Sequence, residues 1–177
     1  MFGDKDDEDI GKIEYSNSTN QMSFSVNTAE RLRITANGVT FNGDTAAANA
    51  LDDYEEGTWT PAFKDSNAAS VTGTLYTADY TKIGDTVFIT VYYSPGDVQN
   101  GTLTSMTLPF AARGTNAKTA GSLVSYNCPI GNKSNEMLIQ GASSVAAFFQ
   151  LRDNATYLAM VWDNSCEVVF TATYFVP

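Results

Sequence analysis

The sequence predicts an all-β protein, and three observations carry that expectation. Apolar and polar residues alternate with a period of two in short runs, and Asn, Gly, Asp and Pro bound those runs. Nine Tyr, ten Phe and many Thr and Ser suit pleated, half-buried surfaces better than helices. The 177 residues are 43% hydrophobic and 17% charged, enough for one domain with an appendage and too few for two full-sized domains.

The first strand signals are Lys12-Ile13-Glu14-Tyr15 and, after Ser16-Asn17-Ser18-Thr19-Asn20, the run Gln21–Val26. Arg31–Thr35 follows, then an Asn37-Gly38 turn and Val39-Thr40-Phe41, so residues 1–50 read as a β-meander. About fifty residues with so few large apolar side chains cannot bury enough surface to fold alone. Three copies wound about a common axis would pool Ile13, Met22, Phe24, Leu32, Ile34, Val39 and Phe41 into one trimer core. Asp44–Leu51 is the one segment with helix propensity, capped by Asp44 or Thr45, and 51–58 reads as an acidic linker carrying Asp52, Asp53, Glu55 and Glu56.

From Trp59 onward, eight strand candidates form a head at 59–177: Gly73–Lys82, Thr86–Tyr93, Thr102–Thr107, Ala120–Asn127, Glu136–Gln140, Val145–Gln150, Tyr157–Trp162 and Cys166–Phe175. Turn residues break them at Ile83-Gly84-Asp85, Ser94-Pro95-Gly96-Asp97, Gln99-Asn100-Gly101, Arg113-Gly114, Gly131-Asn132, Arg152-Asp153-Asn154 and Asp163-Asn164-Ser165. Short strands at this spacing predict a β-sandwich of jelly-roll type rather than a βαβ fold.

Composition removes several functions. Twenty acidic against ten basic residues give a net charge of −10, which leaves no basic surface to neutralise a phosphate backbone and argues against nucleic acid as a partner. Residues 1–58 hold twelve of those acids and four bases, net −8, so the acidity is concentrated in an N-terminal third of different character, with a boundary near residue 58. His is absent, which removes Ser-His-Asp and Cys-His catalysis. No signal peptide is visible and no apolar stretch approaches the ~20 residues a bilayer requires, so no membrane insertion is expected.

Candidate chemistry is sparse. The carboxylates at 52–56 repel one another on a solvated segment, whereas glycosidases need two acids across a cleft. Asp4–Gly11 resembles a calcium loop only superficially, because its Gly falls two places late and no closing Glu follows; neither metal nor cofactor is expected. Cys128 and Cys166 have no zinc-site spacing and read either as buried reduced strand residues or as a single disulfide. Exposed aromatics remain, since Tyr and Trp stack on sugar faces while Asn and Asp bond hydroxyls. Tyr92, Tyr93, Tyr126, Asn127, Trp162, Asp163 and Asn164, all beside turns, are the candidate ligand contacts.

The stretch Met22-Ser23-Phe24-Ser25-Val26-Asn27-Thr28-Ala29-Glu30-Arg31-Leu32-Arg33-Ile34-Thr35-Ala36-Asn37-Gly38-Val39 resembles a repeat found in fibre proteins of tailed, especially marine, bacteriophages. Leu51–Pro61 resembles the junction that introduces a C-terminal β-rich head in such proteins, where Tyr80–Asp85 and Leu108-Pro109-Phe110 also recur. The resemblance implies a non-enzymatic virion structural protein, a homotrimer with an intertwined β shaft and a distal head that meets other virion proteins or a host surface glycan. Such repeats usually end much longer polypeptides, and Asp6–Glu14 looks like the tail of a further repeat, so a truncated or minimal shaft is expected. A trimeric head fibre or capsid decoration protein, and a carbohydrate-binding module, are the alternatives.

Overall fold

The computed structural model describes every residue except 1, 4, 7, 9, 98–100, 130–132, 153–155 and 164, together with the side chain of Asp97. Candidate contact Asn164, the acids Asp4, Asp7 and Asp9, and the expected turn residues Gln99, Asn100, Gly131, Asn132, Asp153 and Asn154 therefore lie outside the described residues. The chain is all-β and divides into two compact units, residues 1–54 and 55–177. Among the described residues no helix is long and apolar enough to cross a membrane.

The first unit is a four-stranded antiparallel meander of β1 (Gly11–Ser16), β2 (Gln21–Val26), β3 (Ala29–Thr35) and β4 (Gly38–Phe41), in the order the chain runs. Thr35 pairs directly with Gly38, so the two-residue turn is Ala36-Asn37, one position earlier than the Asn-Gly signal suggests. Gly38 has φ 111° and a Cβ on it would lie 2.4 Å from the Leu51 carbonyl oxygen, so this strand start requires glycine. The expected helix at 44–51 is a single 3-10 turn, Ala47–Asn49, whose N-cap Ala46 offers no side chain to the turn. Asp44 instead accepts from the Ala46 backbone N–H at 2.8 Å and from Asn49 at 2.7 Å, an Asx-type turn that leads into it.

The head contains β5 (Tyr54–Thr58), β6 (Phe63–Lys64), β7 (Ser70–Ile83), β8 (Thr86–Asp97), β9 (Thr102–Leu103), β10 (Ser105–Thr107), β11 (Lys118–Tyr126), β12 (Ser134–Gln140), β13 (Val145–Leu151), β14 (Leu158–Val161) and β15 (Glu167–Phe175). Two expectations fail here. The segment read as a linker supplies β5, which pairs with β7. The turn expected at Ser94–Asp97 is instead the end of β8, because Gly73 faces Pro95 and has no Cβ to strike the Ser94 carbonyl, 2.3 Å from where that atom would sit.

The predicted sandwich is also corrected: the sheet closes on itself. Strands β6, β7, β8, β15, β11, β12, β13 and β10 form an eight-stranded antiparallel barrel, in which β10 pairs with β6 on one side and β13 on the other. Strand β14 adds to β13, and β9 adds to β14, outside the ring. Closure depends on stagger, and β11 supplies it: Lys118–Gly121 pair with β12, while Ser122–Tyr126 pair with β15. Gly121 sits at that switch, where a Cβ would lie 1.9 Å from Met137 Cε and 2.7 Å from the Thr171 carbonyl oxygen.

Alternation decides what fills the lumen. Odd residues of β8 (Val87, Ile89, Val91, Tyr93) and even residues of β15 (Val168, Phe170, Ala172, Tyr174) are buried, as are Met137 and Ile139 of β12 and Ala146 and Phe148 of β13. One layer runs across four strands through the pairs Leu123–Phe170, Phe170–Val91 and Val91–Ala78. Phe148 meets Phe170 edge-on at 5.4 Å. Trp59 and Phe110 both lie edge-on to Tyr80, at 6.4 and 5.1 Å, and Lys82 Nζ lies 5.8 Å from the Phe110 ring centroid.

Candidate functional site

Two surfaces stand out, one in each unit. In the meander, cross-strand register places Ile13, Phe24, Leu32 and Phe41 in one row and Tyr15, Met22, Ile34 and Val39 in the next. Directly paired residues share a face, so all seven residues expected to form a trimer core, with Tyr15, occupy a single side of one sheet. Ile13, Tyr15, Met22, Ile34 and Phe41 are exposed there, and Phe24, Leu32 and Val39 are half-buried. The other side is polar: Lys12 pairs with Glu14 at 2.6 Å and Arg33 with Glu30 at 2.8 Å, and Thr40 is the one fully buried residue among the described residues of this unit. The unit thus has an apolar side and no closed core of its own.

On the barrel, the candidate ligand contacts separate by strand parity. Tyr93 is 3% exposed, stacks on Phe63 at 3.8 Å and donates its hydroxyl to the Val71 carbonyl at 3.0 Å; burial pushes its phenol up to about 12. Trp162 is 1% exposed. Both are core residues, Tyr93 on the lumen side of β8 and Trp162 buried just after β14, and neither can meet a ligand at the surface.

Tyr92 and Tyr126 lie on the outer side and come together at one corner, where the ends of β8 and β11 flank the start of β15. Strand β7 carries one residue more than β8 opposite it: Leu75 pairs with Tyr93 and Thr77 with Tyr92, leaving Tyr76 as the bulged residue. The bulge turns Tyr76 outward onto Tyr92, ring centroids 4.3 Å apart and planes 20° from parallel. The Tyr92 hydroxyl donates to Glu167, and Glu167 in turn pairs across the sheet with Tyr126. That hydrogen bond, reinforced by desolvation and by the carboxylate charge, raises the Tyr92 phenol to about 12. Tyr76 and Tyr126 are each more than half exposed, and Val124, beside them on β11, is exposed too.

Asn127 and Asp163 border this corner in structural roles. Asn127 has φ 54°, and its carbonyl accepts from Ser165 Oγ at 3.4 Å. Asp163 accepts from the Ser165 backbone N–H at 2.9 Å and hydroxyl at 2.6 Å, which holds its carboxyl below the usual range. Cys128 and Cys166 are free thiols at the same corner, where Cys128 Sγ donates to the Tyr126 carbonyl at 3.3 Å and Cys166 Sγ to the Asn127 carbonyl at 3.9 Å. The influence of each thiol on the other lowers the Cys128 thiol and, together with burial, raises that of Cys166.

Sequence reasoning missed Tyr76 and Glu167. Tyr76 sits mid-strand, and only a bulge invisible in the local alternation turns it outward; Glu167, next to Cys166 at a strand start, looks like an ordinary edge acid. The corner offers two stacked aromatic rings, a third nearby, and a carboxylate already oriented by a phenol. That chemistry suits the apolar face and hydroxyls of a sugar ring. Among the described residues no group of His, Cys, Asp and Glu could hold a metal ion. No family model, curated protein or solved structure matches the chain.

Proposed function

We propose that this chain is a non-enzymatic structural protein of a tailed-bacteriophage virion, a homotrimeric tail fibre whose barrel head contacts glycan on the host surface. The observation that carries the reading is the two-row apolar side of the meander. Eight apolar side chains on one side of one sheet, in a unit without a closed core, ask for partners of the same shape, and two further copies of the chain supply them. The repeat-like sequence from Met22 to Val39 supports the same reading, since it provides Met22, Phe24, Leu32, Ile34 and Val39 of that side. The head contributes the Tyr76–Tyr92–Glu167–Tyr126 corner. Three such corners on one rigid trimer gain effective affinity from geometry even when each is weak. The net charge of −8 over residues 1–58 keeps assembled shafts apart in solution.

Light scattering on a sizing column gives the absolute mass. The full chain is expected at three times its monomer mass, and Ile34→Asp combined with Phe24→Asp is expected to fall to monomer while the barrel keeps its thermal transition. A monomeric full chain would overturn the trimer.

A further inference from the structure

A groove of about 400 Å³ lies on the barrel's outer wall over β12 and β13, away from the tyrosine corner. Lys118 begins β11 and Tyr126 ends it, so the groove's cationic end is about 26 Å from Tyr126 along that strand. The volume falls within the ~300–1,000 Å³ usual for small-ligand sites. The groove's chemistry is graded from one end to the other. Lys118 and Gln140, direct cross-strand partners, stand at one end; Leu138 and Ala147, also partners, form the middle; Phe149 and Tyr157 form the far wall, ring centroids 5.4 Å apart.

The lining includes one cation and no carboxylate, on a chain with twice as many acids as bases. Lys118 forms no ion pair among the described residues, so its ammonium is available to a ligand anion. Thr104 also lines the groove, and its hydroxyl shares its one proton between the carbonyls of Lys64 and Asp65, at 3.1 and 2.7 Å, so that its oxygen can act only as an acceptor towards a ligand. Glu136, the nearest acid on β12, pairs across the sheet with Phe149 and accepts from Ser134 at 2.9 Å, at the end opposite Lys118. An anionic ligand therefore has one favourable orientation.

We infer that this groove is a second binding site, which takes a carboxylated sugar ring: the carboxylate at Lys118, a ring face against Tyr157 and Phe149, and hydroxyls at Gln140 and Thr104. A lipid chain has no use for the polar end, and a neutral sugar leaves the ammonium unpaired. The inference goes beyond the glycan contact proposed for the tyrosine corner, using different residues on a different part of the wall.

The full chain is titrated calorimetrically with trigalacturonate and with sialyllactose, and in parallel with methyl-esterified trigalacturonate. At least one acid is expected to bind. Lys118→Gln and Tyr157→Ala are each expected to weaken that binding at least tenfold, Lys118→Arg to retain it, and raised salt to weaken it further. Unchanged thermal transitions establish that each variant is folded. Equal binding of acid and ester, no effect of Lys118→Gln, or no binding of either acid would overturn the inference. Tyr76→Ala leaves every groove residue in place and reads the corner separately, so the two sites fail independently.

Discussion

Tyr76 rests on Tyr92 with ring centroids 4.3 Å apart because β7 carries one residue more than the strand it pairs with. Tyr76 is itself that extra residue, and without the bulge position 76 would follow the alternation to the lumen side and the stacked pair would not form. The aromatic platform is thus a product of strand register, and the carboxylate of Glu167 fixes the second ring through its hydroxyl.

Tyr76→Ala is expected to weaken binding of the full chain to host-surface polysaccharide at least fivefold, as one stacked ring is worth ~0.5–1.5 kcal/mol beyond its buried area and three copies act together. Retention on a polysaccharide-coated sensor measures it. Undiminished retention would remove the corner as the contact.

The phenol of Tyr92, held by Glu167, and those of Tyr93 and Tyr174, raised mainly by burial, all lie near 12 in the folded protein. An ordinary phenol in the unfolded chain titrates near ~10. The native state therefore holds these protons more tightly, so their contribution is fully present below pH ~10 and is lost as pH rises through 12. Circular dichroism against pH is expected to show alkaline unfolding in that window. In Glu167→Gln, ultraviolet titration should show one phenol ionising earlier.

Gly121→Ala should destabilise the barrel by ~1–3 kcal/mol, because the added methyl meets Met137 Cε at 1.9 Å and the Thr171 carbonyl at 2.7 Å. Met137 can move and the backbone carbonyl cannot. Urea melts of Gly121→Ala with Met137→Ala should therefore show no full recovery.

Cys128 should alkylate well before Cys166. The first is partly exposed with its thiolate favoured by the neighbouring Cys166 thiol, and the second is buried with its thiol favoured. Mass spectrometry after brief iodoacetamide treatment at pH 7.5 should find one adduct, at Cys128. Cys166→Ala removes that neighbour, raises the Cys128 thiol and should slow that reaction.

Arg113 pairs with Asp85 and lies 4.5 Å from the Phe175 ring centroid, yet both charged side chains are about half exposed. Arg113→Ala is expected to cost no more than ~1 kcal/mol in a thermal melt, most of it from the lost cover over the ring.

The sequence by itself determined most of where the chain runs extended, missing β5, β6 and the end of β8. Period-two alternation and turn residues place β1–β4 and the eight long head segments to within a few residues, since a half-buried strand writes its own pattern. Pooled as trimer-core candidates, Ile13, Met22, Phe24, Leu32, Ile34, Val39 and Phe41 do share one side of one sheet, because that parity is local. Strand closure is not local. An inward-facing residue reads the same in a sandwich as in a barrel, and the decision rests on the stagger of β11 about Gly121 and on the pairing of Ser105–Thr107 with Val145–Ala147. Tertiary structure likewise sent Tyr93 and Trp162 inward, brought Tyr92, Glu167 and Tyr126 to one corner, and set Lys118 beside Gln140 at the head of a groove. Each depends on which strand lies next to which, and the free energy of that choice comes from side chains far apart in the chain.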